Sequence, residues 1–113
     1  MGGEPVSNTE TELARACRKE IEKLGIPCTR VNSGGYRGRM RGAVNGTPDT
    51  WTALGWIEFK MPGKKLSSDQ ERWHADAKRW GVRVAVATSV AETIAIIKGW
   101  MSERDYEQRM GWK

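Results

Sequence analysis

Apolar residues recur at helical spacing near the start of the chain. Four of them follow one another three or four positions apart: Leu13, Cys17, Ile21 and Leu24. This spacing predicts an amphipathic helix from Thr9 to about Leu24, with Gly25 ending it. The next run, from Pro27 to Asn32, predicts a first strand.

Two short runs rich in aromatic and β-branched residues, 51–53 and 56–60, predict a β-hairpin with Leu54 and Gly55 as its two-residue loop. The expected cross-strand pairs are Ala53 with Trp56, Trp51 with Glu58, and Asp49 with Lys60. Because side chains alternate between the two faces of a strand, Asp49, Glu58 and Lys60 would share one face and lie close together.

A second helix is predicted from Ser67 to about Trp80, with Gly81 ending it. Ser67 and Gln70 have the spacing of a capping box. A stripe facing the sheet is predicted from Gln70, Trp73, Ala77 and Trp80. Gln70 could therefore reach a site on the sheet, although capping alone also explains it. His74, the single histidine, is expected at the surface.

The run from Val82 to Ala87 predicts a strand covered on both faces. Thr88 or Ser89 would begin a final helix that carries Ile94, Ile97 and Trp100. The polar segment 102–113 is expected to add a short helix or to serve an interface. Length predicts a single domain over residues 1–113, with a core at about 9–95 and a C-terminal helix and tail at 96–113.

The formal net charge of +5 favours an anionic partner, most simply nucleic acid, although moderately basic proteins can also be merely soluble. No apolar run reaches the length of a membrane span, and no signal peptide is visible, so an intracellular protein without membrane contact is expected. Cys17 and Cys28 lack the spacing and the histidine partners of a zinc site. Reduced, partly buried cysteines are therefore predicted.

Residues 33–42 predict an irregular basic loop, because four glycines interrupt a segment that carries three arginines and Tyr36. Arginine grips phosphate oxygens and tyrosine stacks on unpaired bases, so Arg37, Arg39, Arg41 and Tyr36 are candidate DNA contacts. The alternative is a surface loop whose charges only aid solubility.

The candidate chemistry lies in Gly46-Thr47-Pro48-Asp49 and in Glu58-Phe59-Lys60. Two carboxylates can hold a divalent cation for phosphodiester hydrolysis, and a nearby lysine can assist the attacking water. Each motif alone is common, and a solvated strand face would explain it. Glu10 begins the apolar face of the first helix and could reach this site, but electrostatics at the helix start explain Glu10 and Glu12 equally well.

Together, these motifs and the order of elements resemble the virus-type replication-repair nuclease (VRR-NUC) domain of the PD-(D/E)xK superfamily. The resemblance covers about residues 9–95 and includes the segment 63–67 with Gln70. It implies an α/β fold, restriction-endonuclease-like, with an αβββαβ core, a mixed central sheet flanked by helices, and a C-terminal helix. It also implies a site in which Asp49, Glu58 and the Phe59 carbonyl bind Mg²⁺ or Mn²⁺.

In that site Lys60 would be the catalytic lysine, Gln70 would support it, and Glu10, or else Glu12, would complete the acidic cluster. Stand-alone members are similar to phage-encoded, homodimeric endonucleases acting on four-way (Holliday) junctions, in the host cytoplasm. Lys64 and Lys65 would join the loop arginines on DNA. Trp100 and Trp112 would form the dimer interface or close the core.

Two alternatives remain open. One is a non-catalytic module that binds nucleic acid or recruits a partner on the nuclease fold. The other is an enzyme of the same superfamily that cuts ordinary duplex ends or defined sequences. The lack of a separate reading helix or zinc module disfavours the sequence-specific form.

Overall fold

A mixed sheet flanked by helices organises the part of the chain that the structure, a computed structural model, describes, namely residues 9–31 and 45–111. The elements in chain order are α1 (Glu10–Lys23), β1 (Cys28–Arg30), β2 (Thr50–Thr52), β3 (Trp56–Phe59), α2 (Ser68–Arg79), β4 (Val84–Ala87) and α3 (Val90–Arg109). The predicted α/β class and order of elements are confirmed.

The strands lie in the sheet in the same order as in the chain. β1, β2 and β3 form an antiparallel meander, and β4 runs parallel to β3. A parallel neighbour requires a crossover, and α2 supplies it between β3 and β4. The predicted mixed sheet is therefore confirmed, with β1 and β4 at its two edges within the described residues.

The apolar core lies between the sheet and the pair α1 and α3. Leu13, Ala14, Cys17 and Ile21 from α1 meet Ile57 and Phe59 of β3, Ala87 of β4 and Ile97 of α3. Trp100 packs against this cluster, so it helps to close the domain's own core. Both cysteines carry free thiols, Cys17 buried and Cys28 partly buried, as predicted. Among the described helices, none combines the length and apolar character that crossing a bilayer requires.

The hairpin exists, but its predicted register is wrong by two residues. Trp51 pairs with Trp56 and Thr50 with Ile57, while the Thr52 and Gly55 backbones bond to each other across a two-residue turn at Ala53 and Leu54. The Thr52 hydroxyl fixes that turn by accepting from the amides of Leu54 and Gly55 at 3.0 and 2.9 Å.

Gly55 is needed for close packing rather than for the turn. A side chain there would collide with Arg83 and with the Trp100 ring. Because the register error is an even number of residues, every side chain keeps its predicted face.

The predicted surface position of His74 is wrong, since only 6% of it is exposed. His74 lies one turn after Gln70 and therefore shares the stripe that faces the sheet. Trp80, which was predicted to face the sheet, is instead exposed: it caps the C-terminus of α2, and 76% of its surface is accessible to solvent.

Strand β4 contacts both α2 and α3, so a helix packs on each of its faces, as predicted. β4 is an edge strand, and Val86 is 37% exposed beside its partner Glu58. Helix cover is therefore incomplete at Val86, on the face that carries Glu58. The polar tail, in turn, is no separate element, because α3 continues to Arg109 and Arg83 pairs with Glu103 and Glu107 along it.

Gly46 offers a test of how the loop before β2 is held. Its φ of +88° is left-handed, and a Cβ there would collide with the backbone of Asp69 and Gln70 in α2. Gly63, with φ +86° and open space around it, is the matched control. Urea unfolding should show a loss of about 1 kcal/mol for Gly63→Ala and at least about 2 kcal/mol more for Gly46→Ala. Equal losses would contradict the proposed packing.

Candidate active site

Asp49 directly precedes β2, and Glu58 lies on the neighbouring strand β3. Continuing the β2–β3 register by one residue places Asp49 opposite Glu58, rather than opposite Lys60 as predicted. Asp49 is anchored from the other side, where the Val31 amide donates to its carbonyl oxygen at 2.7 Å. The two carboxylates therefore share one face of the sheet, as the sequence predicted, and are closer partners than the expected register allowed.

Glu58 is buried and Asp49 is half-buried, and each carboxyl group has one buried oxygen that no hydrogen bond satisfies. Glu58 is only 4% exposed, and neither Asp49 Oδ1 nor Glu58 Oε1 has a hydrogen-bond partner. Buried polar atoms are nearly always hydrogen-bonded, so two orphaned carboxylate oxygens require a physical explanation.

The pKa values of the two carboxyl groups indicate that too little positive charge lies near them to stabilise both as carboxylates. Burial raises the pKa of Asp49 to about 6, against smaller opposing effects from the Thr50 hydroxyl, the Phe59 amide and Arg18. Burial, followed by repulsion from Asp49, raises the pKa of Glu58 to about 7, and the Lys60 ammonium only partly offsets this. The site therefore disfavours two negative charges unless a cation joins them.

Gln70 connects the site to α2. Its side-chain oxygen accepts from the Ser67 amide at 2.8 Å, and Ser67 Oγ accepts from the Gln70 amide at 3.2 Å, which completes the predicted capping box. The Gln70 Nε2 group donates to Glu58 Oε2 at 3.0 Å. The two explanations offered for Gln70 are therefore both correct, since one side chain caps the helix and orients the Glu58 carboxylate.

Lysines follow Glu58 along the chain. Lys60 directly follows β3, is partly buried and interacts electrostatically with Glu58. Lys64 and Lys65 are exposed in the turn between β3 and α2. Their predicted DNA contacts stay predictions. Arg37, Arg39, Arg41 and Tyr36 lie outside the described residues, as does Trp112.

Glu10 borders the site from α1. It lines a pocket of about 120 Å³ together with Thr11, Ala14, Arg18, Arg30 and Asp49, whereas Glu12 is exposed and its amide bonds to the Thr9 side chain. Glu10, and not Glu12, is thus the helix carboxylate that faces Asp49. Within residues 9–31 and 45–111, however, no three potential ligands converge as a metal-binding group. Metal ligation by Glu10 and by the Phe59 carbonyl stays a prediction.

Arg18 and Arg30 are site residues that the sequence reasoning missed. Arg18 donates to Thr50 Oγ1 at 3.4 Å and counters the charge on Asp49. The spacing of Glu10, Ala14 and Arg18, four residues apart, is the signal that places all three on one side of α1. Arg30 is brought to the pocket by the pairing of β1 with β2, which helical periodicity does not reveal.

The Asp49–Glu58 pair fits a divalent cation. Two orphaned, buried oxygens supply hard anionic ligands, and Mg²⁺ commonly takes only one or two protein carboxylates while keeping several waters. The pKa of each carboxyl group is raised when no cation is bound. A bound cation would stabilise the two carboxylates and lower both pKa values.

Comparison with solved structures identifies the fold. A structure described as "VRR_NUC domain" superimposes with a TM-score of 0.63, covering 79% of this chain and 94% of that chain at 23% sequence identity. The chain has the VRR-NUC fold. The predicted resemblance is thereby confirmed at the level of the fold. No protein-family model matches the sequence, and neither does any curated protein.

The carboxylate pair in this VRR-NUC fold predicts a pH-dependent stability. Because both pKa values are raised, the metal-free folded protein holds more protons than the unfolded chain between about pH 4 and pH 7. The pair's contribution to the free energy of unfolding therefore falls as pH rises through that interval. Asp49→Asn should remove part of this loss and become more stable than the native protein by roughly 1–3 kcal/mol near pH 8.

Thermal unfolding of both proteins in EDTA, from pH 4 to pH 8, measures this difference. His74, whose pKa is lowered by burial and by Lys78, acts in the opposite direction, but it is common to both proteins and cancels. When Mg²⁺ replaces EDTA in the buffer, the native protein should be stabilised at pH 8 and not at pH 4. Asp105→Asn, an exposed change on α3, is the control. Parallel curves for the native protein and Asp49→Asn would contradict the account.

The double role of Gln70 can be separated by two variants. Ser67→Ala removes only a capping bond and should cost about 1 kcal/mol of stability. Gln70→Ala also releases Glu58, so a divalent cation titrated into the protein, with Mn²⁺ as the probe, should bind about tenfold more weakly or worse. Unchanged Mn²⁺ affinity in Gln70→Ala would reduce Gln70 to a capping residue.

Proposed function

We propose that the protein is a divalent-metal-dependent DNA endonuclease that hydrolyses phosphodiester bonds. The observation that carries this proposal is the Asp49–Glu58 pair, with two buried, unpartnered oxygens, near Lys60. The VRR-NUC fold supports it, because the pair lies in a fold associated with nucleases of the PD-(D/E)xK type.

Each residue has a distinct task in this proposal. A cation bound by Asp49 and Glu58, Mg²⁺ or Mn²⁺, would neutralise charge on the scissile phosphate and acidify a water. Gln70 holds the Glu58 carboxylate in place. Lys60 orients or deprotonates the attacking water, or stabilises charge in the transition state.

Binding to DNA would come mainly from phosphate contacts. Arg18 and Arg30 border Asp49 and can grip phosphate oxygens with their forked guanidinium groups. Lys64 and Lys65 extend the positive surface beyond Lys60, and Arg37, Arg39 and Arg41 are expected to add to it. Affinity should therefore fall steeply as salt concentration rises.

The finer proposal is a phage-type resolvase that recognises branched DNA, most simply the Holliday junction, in the cytoplasm of the host cell. Resolving a four-way junction needs two symmetric nicks, while one chain of 113 residues offers one Asp49–Glu58 pair. A homodimer would supply the second site.

The deciding experiment compares labelled four-way junction, flap, single-stranded and linear duplex DNA in Mg²⁺. The native protein should make paired nicks in the junction, and Asp49→Asn should not. Lys60→Ala should cleave at least about 100-fold more slowly while junction binding stays largely intact. Lys98→Ala, which removes an exposed lysine from α3, is the matched control and should cleave normally. Unchanged cleavage by Lys60→Ala would contradict its role.

A non-catalytic module that binds nucleic acid or recruits a partner is the second candidate. It is favoured by one observation, that no three potential ligands converge as a metal-binding group in the described part of the chain. Binding of DNA without cleavage of any of the four substrates would select it. Cleavage of linear duplex alone would instead indicate the duplex-cutting enzyme.

A further inference from the structure

A tryptophan-lined concavity lies on the same face of the sheet as the candidate active site. It has a volume of about 340 Å³ and is lined by Trp56, Trp73, Asp76, Ala77, Trp80 and Val82. Three of the chain's six tryptophans therefore gather at one open surface. This surface is here named the tryptophan pocket.

The pocket is built for flat apolar groups. Trp56 and Trp73 meet edge to face, with ring centroids 5.4 Å apart, which fixes one wall. Trp80 stands at the rim and remains 76% exposed, so most of its ring is available for contact. Exposing large aromatic surface to water is unfavourable, and such a cluster commonly marks a binding site.

Two elements join the pocket to the carboxylates. Trp56 precedes Glu58 by two residues on β3 and shares its face, which separates the two positions by about 7 Å along the strand. Trp73 follows Gln70 by one turn of α2, and Gln70 donates to Glu58. A strand of DNA whose phosphate lies at Glu58 would therefore place a neighbouring base near the pocket.

The charges around the pocket favour the base and the phosphate of a nucleotide at different positions. Asp76 in the wall repels a phosphate but can accept a hydrogen bond from the N–H groups at a base edge. Arginines lie outside this wall: Arg72 borders an adjoining hollow that shares Trp73 and Asp76, and the Arg79 guanidinium lies 5.6 Å from the centre of the Trp80 ring. The base is favoured inside and the phosphate at the rim.

We propose that the tryptophan pocket binds an unpaired nucleobase next to the cleaved phosphate, so that the enzyme selects DNA with unstacked bases at a branch or gap. The proposal rests on the proposed nuclease function and names its substrate class. A base within a continuous duplex is stacked on both sides and cannot enter, whereas an unpaired base has a free face for tryptophan.

The test measures binding without cleavage. DNA carrying 2-aminopurine at an unpaired position beside a branch, and a fully paired duplex of the same sequence, are titrated with protein in EDTA. Native protein should quench the unpaired fluorophore and not the paired one. Trp80→Ala, which truncates an exposed ring, should weaken binding of the branched DNA by about fivefold to 30-fold and leave the paired duplex unchanged.

Tyr106→Ala is the matched control, because Tyr106 is an exposed aromatic on α3 that does not line the pocket. Equal binding of both DNAs by native protein and Trp80→Ala would overturn the proposal. So would a change of oligomeric state in Trp80→Ala with unaltered quenching, since the pocket would then receive a second copy of the chain. Trp80-dependent quenching without cleavage of any DNA would support base binding while rejecting the nuclease function.

Discussion

The confinement of two carboxylates opposite each other is the constraint on which the rest of this structure depends. Pairing of the adjacent residues Thr50 and Ile57 sets Asp49 opposite Glu58, and each carboxylate keeps an unpartnered buried oxygen. Burial and mutual repulsion raise the pKa of Glu58 to about 7, so the folded chain carries a local electrostatic cost. Strongly shifted pKa values are common at functional sites in proteins. A bound cation would relieve the repulsion between the two carboxylates and stabilise the folded protein.

The surrounding elements hold this pair in a largely buried position near the edge of the helix cover. α1 and α3 bury one face of the sheet, whereas α2 covers only part of the other, which leaves Val86 exposed beside Glu58. Gln70 fixes the Glu58 carboxylate from the start of α2, and Gly46 allows the preceding loop to approach the same turn. The position of the carboxylate pair therefore depends on the contacts of Gln70 and Gly46 at the start of α2.

The sequence predicted most of the fold because its signals are local. Helical periodicity and the Ser67–Gln70 capping box identified α1 and α2, and alternation placed Asp49 and Glu58 on one face. The hairpin register escaped prediction because the Thr52 hydroxyl, rather than Gly55, determines the turn.

Other features depend on tertiary packing that no local pattern encodes. Arg30 reaches the site through strand pairing. His74 is buried because α2 presents it to the sheet. Sheet order leaves β4 at an edge.

The most direct test of the central claim is calorimetric titration of Mn²⁺ into the native protein and into Glu58→Gln at pH 8. The glutamine keeps one oxygen that can accept from Gln70, while the negative charge is lost and the second oxygen is replaced by an NH₂ group. The account predicts that the native protein binds the cation and that Glu58→Gln binds it at least about tenfold more weakly. Equal affinity in the two proteins would contradict the assignment of this carboxylate pair as a metal site.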